Sequence, residues 1–352
     1  MYIDLKVKEI RIETKDAVSI IFENPGGGGL NYLSGQYLTL IIKLEDKEVR
    51  RAYSICTSPF VDIDIAVTVK RVASGLVSNW LPDNIQAGNV IRVMAPMGQF
   101  TLDFDTRLKR HIVMFAGGSG ITPMISIIKS LLESEPESTC SLIYCNQDIE
   151  SVIFKNELDY LGRQAKGKLN IHYVLDRHND DWSGHSGRLS SELLAAIFRS
   201  VPHRDPDNSQ YLICGPAGMM EMVETWLHNQ QISRDKIMLE NFFAPPKDDG
   251  AFHAAGLQPS GVSVPVSIRY ENEIHEINVP PGKSILHAAL DLGIDLPYSC
   301  QSGICTSCRS KCVKGSVKME LDQGLSEEEK KEGYVLICVG YPATDDVALE
   351  ID

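Results

Sequence analysis

The sequence predicts a multidomain chain: an antiparallel β-barrel, then an α/β domain on a parallel sheet, then a smaller module of separate character. Three observations carry this. Short alternating or β-branched segments with little helical periodicity fill residues 1–106, the pattern of a barrel or sandwich. Strand-like and helix-like segments alternate through residues 107–246, the rhythm of a parallel sheet covered on both faces. Residues 264–352 hold 15 acidic and 8 basic residues, a net of −7 out of −13 for the 352-residue chain, so the C-terminal quarter has a composition of its own.

In the first domain, the opening MYIDLKVKEI alternates polar and apolar residues, and Ala17–Glu23, Gln36–Leu44 and Asp62–Lys70 read as strands. Gly26–Gly29 reads as a surface loop. In the second, HIVMFAGG, CSLIYCN, LNIHYVLD and QYLICG are strands. ITPMISIIKSLLES, SVIFKNELDYL, RLSSELLAAIF and PAGMMEMVETWLHNQ are helices. Residues 247–262, rich in Pro, Gly and Asp without periodicity, form the linker. The module at 263–352 opens with a hairpin, VPVSIRYENEIHEINVPPG, and an amphipathic helix, KSILHAALDLG.

Composition narrows the function. With 43% hydrophobic and 23% charged residues, each part is able to bury a core. No run of 18 apolar residues occurs and the start lacks a signal-peptide pattern, so no membrane span and a cytoplasmic location are expected. A net charge of −13 argues against nucleic acid and anionic membrane as partners. Nine cysteines, an odd number, favour metal ligation or free thiols in a reducing compartment over disulfides. His172, His178 and His185 show no chelating spacing and read as ordinary residues, with no second metal.

The sharpest signal is C-x4-C-x2-C at Cys300, Cys305 and Cys308, with Cys338 following after 29 residues. This is the spacing of plant-type [2Fe–2S] ligation. Two irons need four converging thiolates, so a tight loop supplies three and a distant strand the fourth. Small residues (Ser299, Ser302, Gly303, Thr306, Ser307) let backbone N–H groups point at the sulfurs. The rival is structural zinc, which more usually takes two close cysteine pairs. Cys312 falls outside the pattern and reads as a non-ligand.

A second signal is Ala116-Gly117-Gly118-Ser119-Gly120-Ile121-Thr122-Pro123, which ends a strand and opens a helix. Glycines admit a diphosphate to the backbone, and the helix N-terminus supplies N–H groups and positive potential. Pro123 stands where G-x-G-x-x-G would have its third glycine, and proline suits a first helical turn.

With these motifs in place, Val264–Asp352 resembles a plant-type ferredoxin domain, which implies a β-grasp fold. Residues 1–245 resemble the ferredoxin–NADP reductase family, which makes the first domain a flavin-binding barrel. The order flavin, nicotinamide, cluster is similar to that of the reductase components of multicomponent oxygenases, and the resemblance spans essentially the whole chain. It implies an NAD(P)H oxidoreductase that moves electrons through FAD and the cluster to a separate oxygenase, epoxidase or desaturase component, with the phenylacetyl-CoA epoxidase type favoured. The alternative is a general electron carrier serving several acceptors. A monomer is expected.

Residue by residue, the resemblance implies the following. Arg51-Ala52-Tyr53-Ser54 matches R-x-Y-S: an arginine for the flavin diphosphate, a tyrosine against the ring and a serine at N5. Gly35-Gln36-Tyr37 matches a G-Q-Y strand. Val69-Lys70-Arg71 and Gly75-Leu76-Val77-Ser78 match the second flavin segment and favour FAD over FMN. Glu240-Asn241-Phe242 matches the segment that covers the flavin ring, packing of the domain interface being the other reading of Phe242. Gly117, Gly118, Ser119, Gly120, Thr122 and Pro123 hold the coenzyme. Cys214-Gly215-Pro216 faces the nicotinamide, with Cys214 assigned no nucleophilic role. Ser54, Cys214 and Glu240 are the catalytic candidates. Gln147 and Asp148 follow the second strand where a 2′-phosphate would call for a cation, which tilts the coenzyme towards NADH over NADPH.

Overall fold

The computed structural model describes residues 2–24, 30–45, 47–201, 206–242, 263–301, 303–322 and 324–351. The chain forms two compact units, Met1–Phe242 and Phe243–Asp352. The glycine loop at Gly26–Gly29 and the linker at 247–262 lie outside the described residues.

The first unit opens with β1 (Tyr2–Thr14), β2 (Ala17–Phe22), β3 (Tyr37–Leu44), β4 (Lys47–Ser54), β5 (Ile65–Lys70), α1 (Leu76–Asn84) and β6 (Val90–Met94). The strands make an antiparallel sheet in the order β4-β3-β6-β1-β2-β5, the flavin-domain barrel the sequence implied. Alternation explains its inside: Leu5, Val7, Ile20, Phe22, Leu38, Leu40, Val67 and Val69 point into one core. The R-A-Y-S motif occupies the last four residues of β4.

The α/β part runs β7 (His111–Gly117), α2 (Ile121–Ser134), β8 (Thr139–Asn146), α3 (Lys155–Gln164), β9 (Leu169–Leu175), β10 (His185–Ser186), α4 (Ser191–Phe198), β11 (Ser209–Cys214), α5 (Ala217–Asn229) and β12 (Ile237–Glu240). All pairings are parallel, in the order β10-β9-β8-β7-β11-β12. Every residue of β7 is buried, as expected of a strand with helices on both faces. The order reverses between β8 and β11 around β7, so the switch point lies at the C-terminal end of β7 and β11. Helix α3 starts at Lys155 because Phe154 sits at φ 59° in the left-handed region, later than the periodicity of SVIFKNELDYL suggests.

Helix α2 is buried along most of its length, yet it carries Ser126, Lys129 and Ser130. Their partners come mostly from the barrel, with Glu157 of α3 added at Lys129. Ser126 Oγ donates to Thr57 O at 2.6 Å, and Ser130 Oγ lies 2.5 Å from Ser34 Oγ and 2.7 Å from Ser58 Oγ. Lys129 Nζ is 3.0 Å from Asp62 Oδ2 and 2.8 Å from Glu157 Oε1, and is itself 8% exposed. Burial pulls the Lys129 ammonium down, but Glu157 and Asp62 outweigh it and hold its pKa above the usual lysine value. The stabilisation is thus fully present below the pKa of an unfolded lysine and is lost only as pH rises through the higher folded value. Lys129→Met is expected to destabilise the first unit by about 3 kcal/mol at neutral pH, because two carboxylates lose the cation they share. Urea denaturation followed by tryptophan fluorescence checks this, and a loss under about 0.5 kcal/mol would mean that water replaces the lysine.

The second unit contains β13 (Val264–Tyr270), β14 (Glu273–Val279), α6 (Ile285–Asp291), β15 (Arg309–Lys314), β16 (Val317–Met319), α7 (Glu327–Lys331), β17 (Tyr334–Leu336), β18 (Gly340–Pro342) and β19 (Val347–Glu350). Its main sheet runs β14-β13-β19-β15-β17, with β13 and β19 parallel and the other pairs antiparallel. Glu271 and Asn272, both at positive φ, close the predicted hairpin as a two-residue turn. Ser284 caps α6 by accepting from His287 N. Ile285, Leu286, Ala288 and Ala289 of α6 pack on Val266, Ile268, Ile277 and Leu349 of the sheet, the β-grasp arrangement.

Candidate functional site

In the second unit the four predicted ligands are drawn together by two segments. Cys300, Cys305 and Cys308 come from the loop before β15, and Cys338 from the turn after β17. The Ile337 N–H donates to Cys308 O at 3.3 Å, which ties the segments to each other. The Cys305 thiol hydrogen-bonds to Cys300, and Cys338 to both Cys300 and Cys308. Those contacts, with burial, hold both thiols well above their usual pKa. Among the described residues no three His, Cys, Asp or Glu side chains sit where they would hold a metal ion.

The loop's shape needs its glycine. Gly303 has φ +74°, and a Cβ there would stand 2.8 Å from Leu321 O and 2.9 Å from Val339 Cγ2. Ser307 Oγ is 3.6 Å from Cys305 Sγ, and Ser299 is buried. Ser302 lies outside the described residues. Three thiols on a small-residue loop, gathered with the Cys338 thiol, suit the cluster. Cys312 stands apart in β15, opposite Leu349, with its thiol 3.3 Å from Lys314 O.

In the first unit, β4 and β5 meet at the Ile55–Val67 bridge, which brings the two flavin segments to one edge of the barrel. Ser54 is 2% exposed and its Oγ has no hydrogen-bond partner among the described residues. A buried hydroxyl of this kind is where a bound group is expected to supply the partner. Arg51 and Tyr53 are half-buried, and Ala52 is exposed. Burial raises the Tyr53 phenol above its ordinary value, so it stays neutral. The Val69 and Val77 side chains belong to the barrel core and leave only backbone for a ligand. Arg71 is engaged by α1: its guanidinium takes both Asp83 oxygens, at 2.5 and 3.0 Å, and Asn79 O at 3.0 Å. Ser78 Oγ and the Asn79 amide hold the loop before α1 by bonding Val72 N, Val72 O and Gly75 O. Leu76, next to them, is exposed.

The glycine turn lies at the switch point. Cys214 pairs with Ala116 on one side and with Glu240 on the other. A Cβ on Gly120 would meet Cys214 O at 2.1 Å, one on Gly117 would meet Pro216 Cδ at 2.6 Å, and one on Gly215 would meet Met219 Cε at 2.6 Å. The absence of side chains at these glycines is thus what lets the β7 turn close on the β11 turn. A 3-10 turn at Gly118–Gly120 runs directly into α2, whose Ile121 N–H is taken by Gly118 O and Ser119 O, so the N–H groups placed for an anion are those at the start of this combined turn, which has no side-chain cap. Thr122 Oγ1 donates to Ser119 O at 2.9 Å and shapes the turn from inside, and Pro123 is buried in the first helical turn. Cys214 is fully buried, and burial first, then the Glu240 carboxylate, pushes its thiol well above the usual value. Both causes disfavour the thiolate, and nothing in this setting activates Cys214 as a nucleophile. Lys70 Nζ of the flavin segment stands 3.6 Å from where a Gly118 Cβ would be, so flavin and nucleotide segments meet. Phe242, 43% exposed, follows β12.

Sequence reasoning missed one residue. Gln147 is exposed, but Asp148 is not a free acid. Its Oδ1 accepts from Ser151 N at 3.1 Å, and its Oδ2 is 2.9 Å from Arg177 Nη2. Arg177 arrives from the end of β9, 29 positions away, outside the window in which a cation was sought. His172 and His185, read as ordinary residues, meet with Nδ1 and Nε2 at 3.4 Å.

Known families match in the same order. The oxidoreductase FAD-binding domain matches residues 4–102, the oxidoreductase NAD-binding domain 114–225 and the 2Fe-2S iron-sulfur cluster binding domain 268–343. The chain is 34% identical to a subunit of the 1,2-phenylacetyl-CoA epoxidase of Escherichia coli (strain K12), across 99% of this chain and 97% of that one. It is likewise 34% identical to the ferredoxin reductase component of 3-ketosteroid-9-alpha-monooxygenase from Rhodococcus rhodochrous, across 98% and 96%. The solved structure of phthalate dioxygenase reductase superposes with a TM-score of 0.62 at 24% identity, over 99% of this chain and 98% of the other. Among the described residues no helix is long and apolar enough to cross a membrane. The chain therefore belongs to the family of NAD(P)H oxidoreductases that join FAD-binding, NAD-binding and [2Fe–2S] domains in one polypeptide, the family of these oxygenase reductase components.

Proposed function

We propose that this chain feeds electrons from NAD(P)H to a dedicated oxygenase-type acceptor, the phenylacetyl-CoA epoxidase type being favoured. The observation that carries this is the end-to-end likeness to the Escherichia coli epoxidase protein, 34% over 99% of the chain, together with a complete four-cysteine set. The bound groups supply hydride acceptance and one-electron transfer, and the protein supplies binding and orientation. In this reading Arg51, Lys70 and the backbone of Gly75–Ser78 hold the FAD diphosphate. Ser54 donates its otherwise unpartnered hydroxyl to the flavin edge, Tyr53 lies against the ring and Phe242 covers it. The turn at Gly117–Pro123 holds the coenzyme diphosphate, with Cys214, Gly215 and Pro216 beside the nicotinamide. Cys300, Cys305, Cys308 and Cys338 hold the cluster. The domains divide at 1–106, 107–246 and 263–352, and the protein works as a cytoplasmic monomer.

The purified protein is expected to release one FAD and to contain two irons and two acid-labile sulfides per chain. NAD(P)H should drive cytochrome c reduction, and the protein should co-purify from its cells with an oxygenase component. FMN in place of FAD, or zinc in place of iron, would overturn the cofactor assignment. Equal service to several unrelated acceptors would favour a general electron carrier.

A further inference from the structure

One phenol reaches the glycine turn from the core side. Tyr144 lies on β8 between Ala116 of β7 and Tyr173 of β9, and it is fully buried. Its Oη donates to Gly118 O at 2.9 Å, while Ile153 O is 3.5 Å away. The Ile121 N–H is divided between Gly118 O and Ser119 O, so it holds the Gly118 carbonyl only in part. Burial keeps the phenol above its ordinary pKa, so it stays protonated and remains a donor. We infer that Tyr144 is a positioning residue for the coenzyme: its hydroxyl pins the Gly118–Ser119 peptide in the orientation that turns the Ser119 N–H towards the coenzyme diphosphate. The inference rests on the reading of the glycine turn as the coenzyme site.

Peptide geometry links the hydroxyl to the anion. In a trans peptide the C=O and the following N–H point in opposite directions. A Gly118 carbonyl held inward by a buried phenol therefore leaves the Ser119 N–H facing outward. Gly118 stands at φ +52°, and glycine passes between positive and negative φ at little cost. Without a lock on its carbonyl, this peptide is free to turn over and present an oxygen, in place of an N–H, to an anion. Thr122 treats the next peptide in the same way: its Oγ1 donates to Ser119 O at 2.9 Å, which leaves the Gly120 N–H outward. Thr122 belongs to the turn itself, whereas Tyr144 acts on it from 26 positions away in the chain. Two adjacent N–H groups fixed before the coenzyme arrives spare it the cost of ordering them.

The test compares wild type, Tyr144→Phe and Tyr173→Phe as complete chains carrying their bound groups. Phenylalanine keeps the ring in the core and removes one hydroxyl. Tyr173→Phe is the control, because the Tyr173 phenol goes to Asp159 Oδ1 at 2.9 Å and not to the turn. Calorimetry measures Kd for 5′-ADP and for adenosine, which lacks the diphosphate. Stopped-flow flavin absorbance gives the saturating rate of reduction and the half-saturating NAD(P)H concentration. Tyr144→Phe is expected to weaken 5′-ADP and NAD(P)H about tenfold, the scale of one hydrogen bond. Adenosine should stay within about twofold and the saturating rate within about threefold, and the melting temperature should fall by less than about 5 °C. Tyr173→Phe should leave every binding constant within about twofold. Should 5′-ADP compete with NAD(P)H in wild type and bind Tyr144→Phe within twofold, the phenol only satisfies itself on Gly118 O and the inference falls alone. Equal losses for adenosine and 5′-ADP, or a Tyr144→Phe chain that does not fold, would assign the hydroxyl to the fold and overturn the inference as well. Failure of 5′-ADP to compete with NAD(P)H in wild type would sink the reading of the turn, and the inference with it.

Discussion

Cys308→Ser is expected to lose the cluster and, with it, cytochrome c reduction by on the order of 100-fold, more than the loss of an outer-shell partner usually brings. Ferricyanide reduction, which needs only the flavin and nucleotide parts, should stay within about twofold. The site explains the separation. Cys308 is 1% exposed and faces Cys338 across the join between the loop and β17, and a serine fills nearly the same volume there, so the unit should fold. A hydroxyl is a poor iron ligand at neutral pH, so the deficit lies in ligation. Cys312→Ser is the control. Its thiol points at Lys314 O and Gly315 O, a hydroxyl can donate to the same carbonyls, and both activities should survive. Iron and sulfide analysis with visible absorption decides the matter. An intact cluster in the Cys308 variant, or its loss in the Cys312 variant, means that the ligand set is misassigned.

Gly120→Ala should slow reduction of the flavin by NAD(P)H about 100-fold while the flavin stays bound, the scale of a misplacement of about 1 Å between reacting groups. Gly120 has φ −62° and ψ −8°, which alanine adopts freely, so backbone strain is not at issue. The added methyl would sit 2.1 Å from Cys214 O and 2.5 Å from its carbonyl carbon. Both are backbone atoms of a buried strand and cannot swing away as a side-chain tip can. The turn and the end of β11 must move apart, and with them whatever lies between coenzyme and flavin. The residues proposed to hold the FAD diphosphate and ring, other than the covering Phe242 after β12, stand on β4, β5 and the start of α1 and are not displaced. Gly218→Ala, in the first turn of α5 with nothing within 4 Å of its added Cβ, should keep full activity and gain about 0.5–1 kcal/mol. Stopped-flow flavin absorbance measures both variants. A rate within threefold of wild type for Gly120→Ala would refute the role given to the turn.

The parts of this molecule legible in the sequence are those whose geometry is local. Cys300, Cys305 and Cys308 lie within nine residues, so their spacing alone names the ligand set. Helix α2 runs over Ile121–Ser134 as its periodicity predicts, because an apolar helix beside a glycine turn has one way to start. What stayed hidden depends on partners far away in the chain. Nothing near Ser126, Lys129 and Ser130 in the chain accounts for polar groups buried on an apolar helix; Thr57, Asp62 and Ser34 of the barrel do. Asp148 read as a free acid because Arg177 reaches it from another strand. Val69 and Val77 carried the motif, yet their side chains serve the barrel core. In both segments backbone and side chain answer to different demands, which a one-dimensional pattern cannot separate.

The protonated state of Cys214 has a consequence for durability. Oxidants and alkylating agents attack thiolates far faster than thiols. Beside the nicotinamide, where the proposed function puts Cys214, a thiolate sulfur would be a standing target for sulfenic-acid formation and for capping by small electrophiles. Enclosed at the end of β11 and held neutral by burial and by Glu240, this one offers almost no thiolate to either. The same packing that closes the β7 turn on the β11 turn thus shields the Cys214 sulfur from reactive small molecules.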